Sequence, residues 1–332
     1  MIAYWLIRWI GAIARRLPAP VAYALAERTA DLTFIFWRRG RANMIDNMTH
    51  VIGQDASPKQ IRDTARRALR NYLSYLVDFL RAPNLTAADV RERITFDNWE
   101  PLEQAQAKGK GTIYIGVHMG NWDMGGALMS LYGLKVNVVA DTFPNPKLDE
   151  MVVRTREGLG MTIFPYEKAP RRILQALRRN EGVALLMDRP LPLDEGVNIT
   201  FCGATTAVPG GAATLALRTG ASIVSCSMIR LPNEHFIGMV GPCITPNPTG
   251  NDKEDVQQLT QEIMAGQEAW IRANPDQWYM FRRMWPKPTT QGQGIRDKGQ
   301  GVTTEEQGTR NTEHGSAAGQ EVAPLRGRSN PE

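Results

Sequence analysis

Apolar residues recur with helical spacing through the first eighty residues of the chain. The pattern predicts helices over residues 1–13 and 20–38, and a third over residues 58–81 that begins with the N-cap Ser57 and the first-turn Pro58. One apolar stripe predicts the core-facing side of the third helix: Ile61, Ala65, Leu69, Tyr72, Leu76 and Leu80. We therefore expect an N-terminal helical region over residues 1–83.

From Glu100 onward, short continuous apolar runs alternate with helical segments. Such runs are typical of parallel strands that are covered on both faces. We expect strands near residues 112–117, 135–140, 161–164, 183–187, 223–228 and 236–240, and helices near 122–132, 147–159, 170–180, 209–218 and 252–273. The predicted fold class is α/β, with a mostly parallel central sheet flanked by helices, in a domain over residues 84–288.

A change of composition marks the end of this domain. Residues 289–332 contain no aromatic side chain and are rich in Gly, Gln, Thr, Glu and Arg. They bury too little apolar surface to offset the entropy cost of ordering, so we expect a disordered tail there. The chain has 332 residues, of which 42% are hydrophobic, and the part before the tail is large enough for a sizeable core.

The net charge of +5 is unevenly distributed. The first fifty residues hold seven arginines against three acidic residues, interspersed with tryptophan, tyrosine and phenylalanine. This mixture suits the headgroup region of an anionic bilayer, and its high apolar content argues against an arm that binds nucleic acid. We therefore expect the N-terminal region to associate with a membrane, and we expect no nucleic-acid partner.

The first apolar segment has two interpretations. Its thirteen residues fall short of the ~20 that span hydrocarbon, and its charges follow the apolar stretch instead of preceding it, as they would in a signal peptide. It is either an interfacial anchor or an ordinary helix buried against the domain, and opposite faces of one helix can serve both purposes.

Cysteine and histidine are scarce. The three cysteines are odd in number and far apart, unlike a disulfide framework or a zinc site. Three of the four histidines, His50, His235 and His314, stand in unrelated contexts, and we expect them at the surface or hydrogen-bonded in the core. We predict no metal site.

The fourth histidine, His118, ends an apolar run and is followed five positions later by Asp123. An imidazole is the usual general base near neutral pH, and a carboxylate bonded to its other nitrogen fixes the tautomer and stabilises the imidazolium. A capping or core histidine with a hydrogen-bond partner is the structural alternative. The context favours a site, because Gly120 and Gly126 suit a tight turn into a helix at the end of a buried strand.

This segment resembles the hallmark of the bacterial lysophospholipid acyltransferase superfamily, a histidine followed after four residues by an acidic residue. The similar branch holds the lipid A lauroyl/myristoyl acyltransferases and the phosphatidylinositol mannoside acyltransferases. Further motifs resemble the same branch and extend the likeness over most of residues 1–287: Arg156-Glu157-Gly158-Leu159-Gly160, Leu186-Met187-Asp188-Arg189 and Gln277-Trp278-Tyr279-Met280-Phe281-Arg282-Arg283.

The resemblance implies transfer of a fatty acyl group from a thioester donor, acyl-CoA or acyl-carrier protein, to a hydroxyl of a membrane glycolipid or phospholipid. His118 would remove the hydroxyl proton while Asp123 orients the ring, and backbone N–H groups at the Gly120 turn or the following helix N-terminus would stabilise the oxyanion. The resemblance makes Arg156, Asp188 and Arg189 the candidates for substrate binding, since guanidinium groups bind phosphate. A structural ion pair at the strand end is the alternative for the last two, and Asp188 could pair with an arginine or with the neighbourhood of His118.

The resemblance further implies that no cofactor is needed, and that the enzyme works at the cytoplasmic face of the bacterial plasma (inner) membrane, peripheral or N-terminally anchored. Trp122, Met124, Leu128 and Met129 are candidates to line an acyl-chain groove or to be plain core. A thioesterase or lipid esterase that uses the same residues to activate water is the alternative function, and a non-enzymatic membrane-binding module is a third. The acceptor lipid and the type of donor stay open.

Overall fold

Four helices form the N-terminal part of the computed structural model, which describes residues 2–53 and 55–286. Their bounds are α1 Ile2–Arg16, α2 Ala19–Phe36, α3 Arg38–Ile52 and α4 Pro58–Arg81. The predicted start of α4 is confirmed, because Ser57 and Gln60 form a reciprocal capping box there. The helix expected over residues 20–38 ends at Phe36, and α3 follows it almost at once.

Helix α3 was not predicted because its sequence is mostly polar. Met44, Met48 and Val51 form a narrow buried stripe, and Ile45 and Ile52 pack beside it partly buried. Contacts with the rest of the protein therefore stabilise a helix that a weak apolar pattern does not reveal.

The remaining elements alternate between helices and strands. They are α5 Ala87–Arg93, β1 Ile94–Phe96, α6 Glu100–Ala107, β2 Thr112–Gly116, α7 Trp122–Leu131, β3 Val136–Ala140, α8 Pro146–Gly158, β4 Thr162–Pro165, α9 Ala169–Arg178, β5 Gly182–Leu186, β6 Val197–Phe201, β7 Ala204–Val208, α10 Gly211–Thr219, β8 Ser222–Arg230, β9 Phe236–Ile244 and α11 Asp252–Ala273. Single 3₁₀ turns, among them Pro275–Gln277, complete the fold.

The strands form a seven-stranded sheet in the order β1-β9-β8-β2-β5-β3-β4. Every neighbouring pair is parallel except β8 and β9, which run antiparallel. All six predicted strands are present within a few residues of their predicted bounds, as are the five predicted helices of this region. The predicted α/β class with a mostly parallel sheet is confirmed.

The hairpin of β6 and β7 was not predicted, although its sequence carries a signal. Residues 197–201 alternate between apolar and polar side chains, and the connection is the dipeptide Cys202-Gly203. Both connecting residues have positive φ, 50° and 80°, as a two-residue hairpin turn requires.

Successive side chains of the central strand β2 divide the core between two layers. Ile113 and Ile115 pack with buried residues of α3, α4, α9, α10 and α11, whereas Tyr114 faces α6 and α7 on the other side. The predicted sheet with helices on both faces is thereby confirmed. The carboxyl ends of β2, β5, β3 and β4 consequently meet at one edge, where α/β proteins place their sites.

Helix α1 packs on α4 through one face only. Arg81 of α4 donates hydrogen bonds to the carbonyls of Ala14 and Leu17, while Trp9 is 67% exposed on the opposite side. Among the described residues, no helix has the length and apolarity that crossing a membrane would need. Association of residues 1–83 with a membrane stays a prediction, and the tail expected over residues 289–332 lies outside the described residues.

Candidate active site

His118 lies just beyond the carboxyl end of β2, the central strand. The chain turns sharply after it: Met119 forms an isolated bridge with Trp278, and Gly120 forms one with Met228 of β8. Asn121 then caps α7, because its side chain accepts a hydrogen bond from the backbone N–H of Met124. The predicted sequence of strand, glycine turn and helix is confirmed.

Gly120 makes this turn possible. Its φ is +58°, and a Cβ atom placed on it would lie 1.5 Å from the backbone oxygen of Met228. No side chain fits there without moving β8 away from the loop that carries His118.

We expect Gly120→Ala to destabilise the protein by well over the ~1–2 kcal/mol that left-handed backbone costs an L-residue. Gly109→Ala is the matched control, because Gly109 has φ +70° but nothing within 4 Å of an added Cβ. Urea denaturation of both variants measures the difference. Equal losses of stability would show that the Met228 oxygen does not restrict this position.

The buried carboxylate of Asp188 holds the His118 ring. The Nδ1 atom of His118 lies 2.7 Å from Asp188 Oδ1, and the His118 backbone N–H donates to Oδ2 at 2.9 Å. Asp188 has no exposed surface, whereas the His118 side chain is 40% exposed. The register of the two strands explains this contact. Gly116 of β2 pairs in parallel with Leu186 of β5, and His118 and Asp188 each follow two positions later.

Three N–H groups surround the Asp188 carboxylate. Besides the two from His118, the indole N–H of Trp278 donates to Oδ2 at 2.9 Å. Burial alone raises the pKa of Asp188, but the His118 imidazole and these donors outweigh it, so the net pKa is lowered. For His118, burial has the opposite effect and lowers the pKa, because it disfavours the charged imidazolium. The Asp188 carboxylate more than compensates, so the net pKa of His118 is raised above its ordinary 6.5.

Asp123 does not contact the His118 ring, and the expected role of Asp123 in orienting that ring is therefore wrong. As the second residue of α7, Asp123 turns toward α4 and α8. Its Oδ1 accepts from Arg156 at 2.8 Å, and its Oδ2 accepts from the Tyr75 hydroxyl at 2.9 Å. Its side chain is only 3% exposed. The assignment of Asp123 as a catalytic residue otherwise stays a prediction.

The three candidate substrate-binding residues lie in different surroundings. Arg156 is largely buried and committed to Asp123, and it sits 5.8 Å from the Phe79 ring centroid. The Asp123 carboxylate outweighs the effect of burial and raises the pKa of Arg156. Asp188 faces His118 and not the surface, which places it with the reacting group. Arg189 is the exposed member, paired with Asp141 at the end of β3.

The structure corrects one proposed set of oxyanion donors. The N–H of Gly120 already donates to the carbonyl of Gln277 at 2.9 Å, and the N–H of Asn121 donates to the carbonyl of Met228 at 3.0 Å. At the first turn of α7, the N–H groups of Trp122 and Asp123 have no partner among the described residues. The N-terminus of α7 was the other predicted source of oxyanion donors, and these two N–H groups are free to bind an anion there.

The candidates for an acyl-chain groove divide between core and surface. Met124, Leu128 and Met129 are at most 4% exposed and belong to the hydrophobic core. Trp122 is half-buried, and its ring meets that of His118 edge-on with centroids 5.5 Å apart. Trp122 is therefore the one of these residues that borders the candidate site.

The segment Gln277–Tyr279 belongs to a motif that resembles the family, but its sequence predicted no role for it. The backbone of this segment holds the His118 loop, because the carbonyl of Gln277 accepts from Gly120 and the N–H of Tyr279 donates to the carbonyl of His118. Gln277 ends a 3₁₀ turn that follows the long helix α11, and the sequence around it shows no spacing typical of a catalytic motif. The contact with the His118 loop could therefore not be found from local sequence.

Within residues 2–53 and 55–286, no three His, Cys, Asp or Glu side chains group as metal ligands.

Comparison with known proteins shows which family and which relatives the chain is similar to. The family described as bacterial lipid A biosynthesis acyltransferase matches residues 1–287. A phosphatidylinositol mannoside acyltransferase of Mycolicibacterium smegmatis is 29% identical over 274 residues, which cover 80% of this chain and 86% of the relative. A protein of the same description from Mycobacterium tuberculosis H37Rv is 27% identical over 254 residues, covering 74% and 77%.

Proposed function

The chain belongs to the bacterial lipid A biosynthesis acyltransferase family, and we propose that His118, held by Asp188, is the base with which it moves a fatty acyl group from a thioester to a lipid hydroxyl. Family membership and the relatives make the protein an enzyme that transfers acyl groups in lipid biosynthesis. The observation that carries the proposal is the contact of His118 Nδ1 with the Asp188 carboxylate at 2.7 Å, while no described residue bonds to Nε2; this contact favours the tautomer that leaves Nε2 free.

The reaction follows from this arrangement. Asp188 accepts a hydrogen bond from the N–H at Nδ1, so the proton of the neutral ring stays on Nδ1 and Nε2 is the free base. The acceptor oxygen attacks the thioester carbonyl as Nε2 takes its proton, and Asp188 stabilises the imidazolium. The tetrahedral intermediate then expels the thiolate, which takes the proton from Nε2. The products are an ester and a free thiol, and no covalent enzyme intermediate is formed.

We propose a glycolipid or phospholipid as acceptor and either acyl-CoA or an acyl-carrier protein as donor. Glycolipid acceptors are supported by the two mycobacterial relatives, whose descriptions name phosphatidylinositol mannoside. Arg189 is the group best placed to bind an anionic headgroup, because its side chain is 45% exposed and its charge acts on His118. Its partner Asp141 is more exposed still, at 59%, so a bidentate phosphate competes well for Arg189.

Helices α1 and α2 support attachment to the cytoplasmic face of the bacterial plasma membrane. Large apolar side chains are exposed along both, including Leu6, Trp9, Leu25 and Phe36, at 58%, 67%, 55% and 78%. Arginines such as Arg8 and Arg16 stand among them. An exposed apolar face with a cationic border is what binds the interface of an anionic bilayer without crossing it.

We expect the double change Trp5→Ser and Trp9→Ser to weaken binding to anionic vesicles by roughly tenfold or more, because two indole rings no longer leave water. Tyr132→Ser is the control, since Tyr132 is 61% exposed but lies at the end of α7. Co-sedimentation with phosphatidylglycerol vesicles measures binding. Equal binding of both variants would place the membrane-binding face elsewhere.

The test of the activity itself is an acylation assay with the purified protein. Radiolabelled acyl-CoA or acyl-carrier protein is supplied with and without a bacterial glycolipid extract, and both labelled lipid and free fatty acid are measured. The proposal requires labelled lipid that forms only when acceptor is present. Free fatty acid released at the same rate with or without acceptor would instead support the thioesterase alternative.

A further inference from the structure

Trp278 is buried against the Asp188 carboxylate and donates to the same oxygen as the His118 backbone N–H. It follows the 3₁₀ turn Pro275–Gln277 and has no exposed surface. Its indole N–H, which can only donate, points at Asp188 Oδ2 from 2.9 Å. A donor that meets an ionised, fully buried carboxylate makes a charge-assisted hydrogen bond, which is stronger than a neutral one.

We propose that Trp278 is a positioning residue that acts through Asp188: its indole N–H fixes the carboxylate in the plane from which Oδ1 holds the His118 ring. The consequence for catalysis rests on the proposed function, whereas the effect on the imidazole does not. Trp278 bonds to Asp188 and not to Nε2, the reacting nitrogen.

The first part of the argument is geometric. Oδ2 of Asp188 accepts from both the His118 backbone N–H and the Trp278 indole, each at 2.9 Å. Two donors on one oxygen fix the plane of the carboxylate and leave Oδ1 to face Nδ1 at 2.7 Å. Without the indole, one of these two constraints is lost in a site that water does not reach.

Neighbours of Trp278 hold the His118 loop through the backbone. The N–H of Tyr279 donates to the carbonyl of His118 at 2.7 Å, and the carbonyl of Gln277 accepts from Gly120 at 2.9 Å. The Gln277 side chain in turn bonds both backbone groups of Arg230 at the end of β8, at 2.8 and 2.9 Å. The Trp278 indole thus belongs to a segment that is itself fixed to the His118 loop and to the end of β8.

The second part concerns the sign of the electrostatic effect. The indole dipole stabilises a free Asp188 carboxylate more than one whose charge is shared with an imidazolium. Removing the donor therefore favours the protonated pair, and the pKa of His118 rises. The other charged groups that act on His118, Arg189 after β5 and Asp141 after β3, stay in place. The aromatic neighbours, Trp122 and Tyr279, also remain.

Trp285 supplies a matched control. It is 3% exposed, and its indole N–H also donates at 3.0 Å, but to the neutral backbone carbonyl of Phe201. Its ring centroid lies 6.4 Å from that of Trp278, so both belong to one aromatic cluster. Trp278→Phe and Trp285→Phe therefore remove the same side-chain volume and the same indole donor. Only Trp278→Phe removes a hydrogen bond to a charged group.

The test is an NMR titration of the full-length protein. In the unmodified protein, the Trp278 indole N–H resonance should shift with pH in step with the His118 imidazole, while that of Trp285 should not. Trp278→Phe should raise the pKa of His118 by roughly half a unit, with Trp285→Phe leaving it unchanged. The acid limb of kcat/KM for acyl transfer should move to higher pH by the same amount.

The proposal is overturned if the Trp278 resonance does not follow His118, or if the two variants shift the pKa of His118 equally. The resonance of the unmodified protein answers the question even if Trp278→Phe fails to fold. A chain that shows both NMR effects but transfers no acyl group would contradict the proposed function and leave the role of Trp278 intact.

Discussion

Replacing His118 with alanine should lower kcat/KM for acyl transfer by about 10²–10⁴-fold, the usual contribution of a general base. The residue lies at the carboxyl edge of the sheet with its ring partly exposed and its Nε2 without a partner among the described residues. No other described imidazole shares this site, because His50 stacks on Trp285 and His235 is exposed beyond β8. Folding and vesicle binding should be unaffected.

His235→Ala is the control for this experiment. The unmodified enzyme should also gain activity as the pH rises through the pKa of His118, because only the neutral ring accepts a proton, and that pKa lies above 6.5. Undiminished lipid acylation by folded His118→Ala would remove His118 as the base. It would also revive the interpretation of His118 as a capping or core residue.

The second large effect should come from Asp188→Asn. An amide in place of the carboxylate neither fixes the tautomer nor stabilises the imidazolium, and a comparable change in a Ser-His-Asp site lowers kcat by about 10⁴-fold. Since Asn has nearly the volume of Asp, the buried position stays filled. We expect a folded protein with kcat reduced by ~10³–10⁴-fold and substrate affinity largely retained.

Asp123→Asn should have a different result, and the pair of variants separates the two carboxylates. Removing the Asp123 charge leaves the buried Arg156 guanidinium without a counter-ion, which costs about 3 kcal/mol of stability or more. Urea denaturation should show this loss, while the folded fraction keeps a substantial kcat. A stable Asp123→Asn that is as inactive as Asp188→Asn would contradict this division of roles.

The position of His118 was predictable from sequence, whereas its partner was not. A buried strand followed by Gly120 predicts a tight turn at the sheet edge, and the structure has the turn at this position. The partner depends on the parallel register of β2 and β5, which aligns residues 70 positions apart. Spacing along the chain favoured Asp123, but α7 begins at Trp122 and carries Asp123 away from the ring.

The same distinction holds for the fold. The strands of the central sheet are continuous apolar runs and could be found one by one, because burial on both faces requires such runs. Helix α3 and the segment around Trp278 gain their stability from distant parts of the chain. Asn47 of α3, for example, donates to the carbonyls of Met280 and Arg282. Contacts of this kind leave no local pattern in the sequence.

The pKa of the His118 imidazole in three proteins, measured by ¹⁵N NMR, tests the central claim most directly. If Asp188 holds the ring, the unmodified chain should titrate above 6.5. Asp188→Asn should titrate below it, because burial lowers the pKa of His118 and the charges that remain, Arg189 and Asp141, act in opposite directions. Asp123→Asn should match the unmodified chain. A pKa that is unchanged in Asp188→Asn, or that falls in Asp123→Asn, would show that Asp188 is not the carboxylate that supports the base.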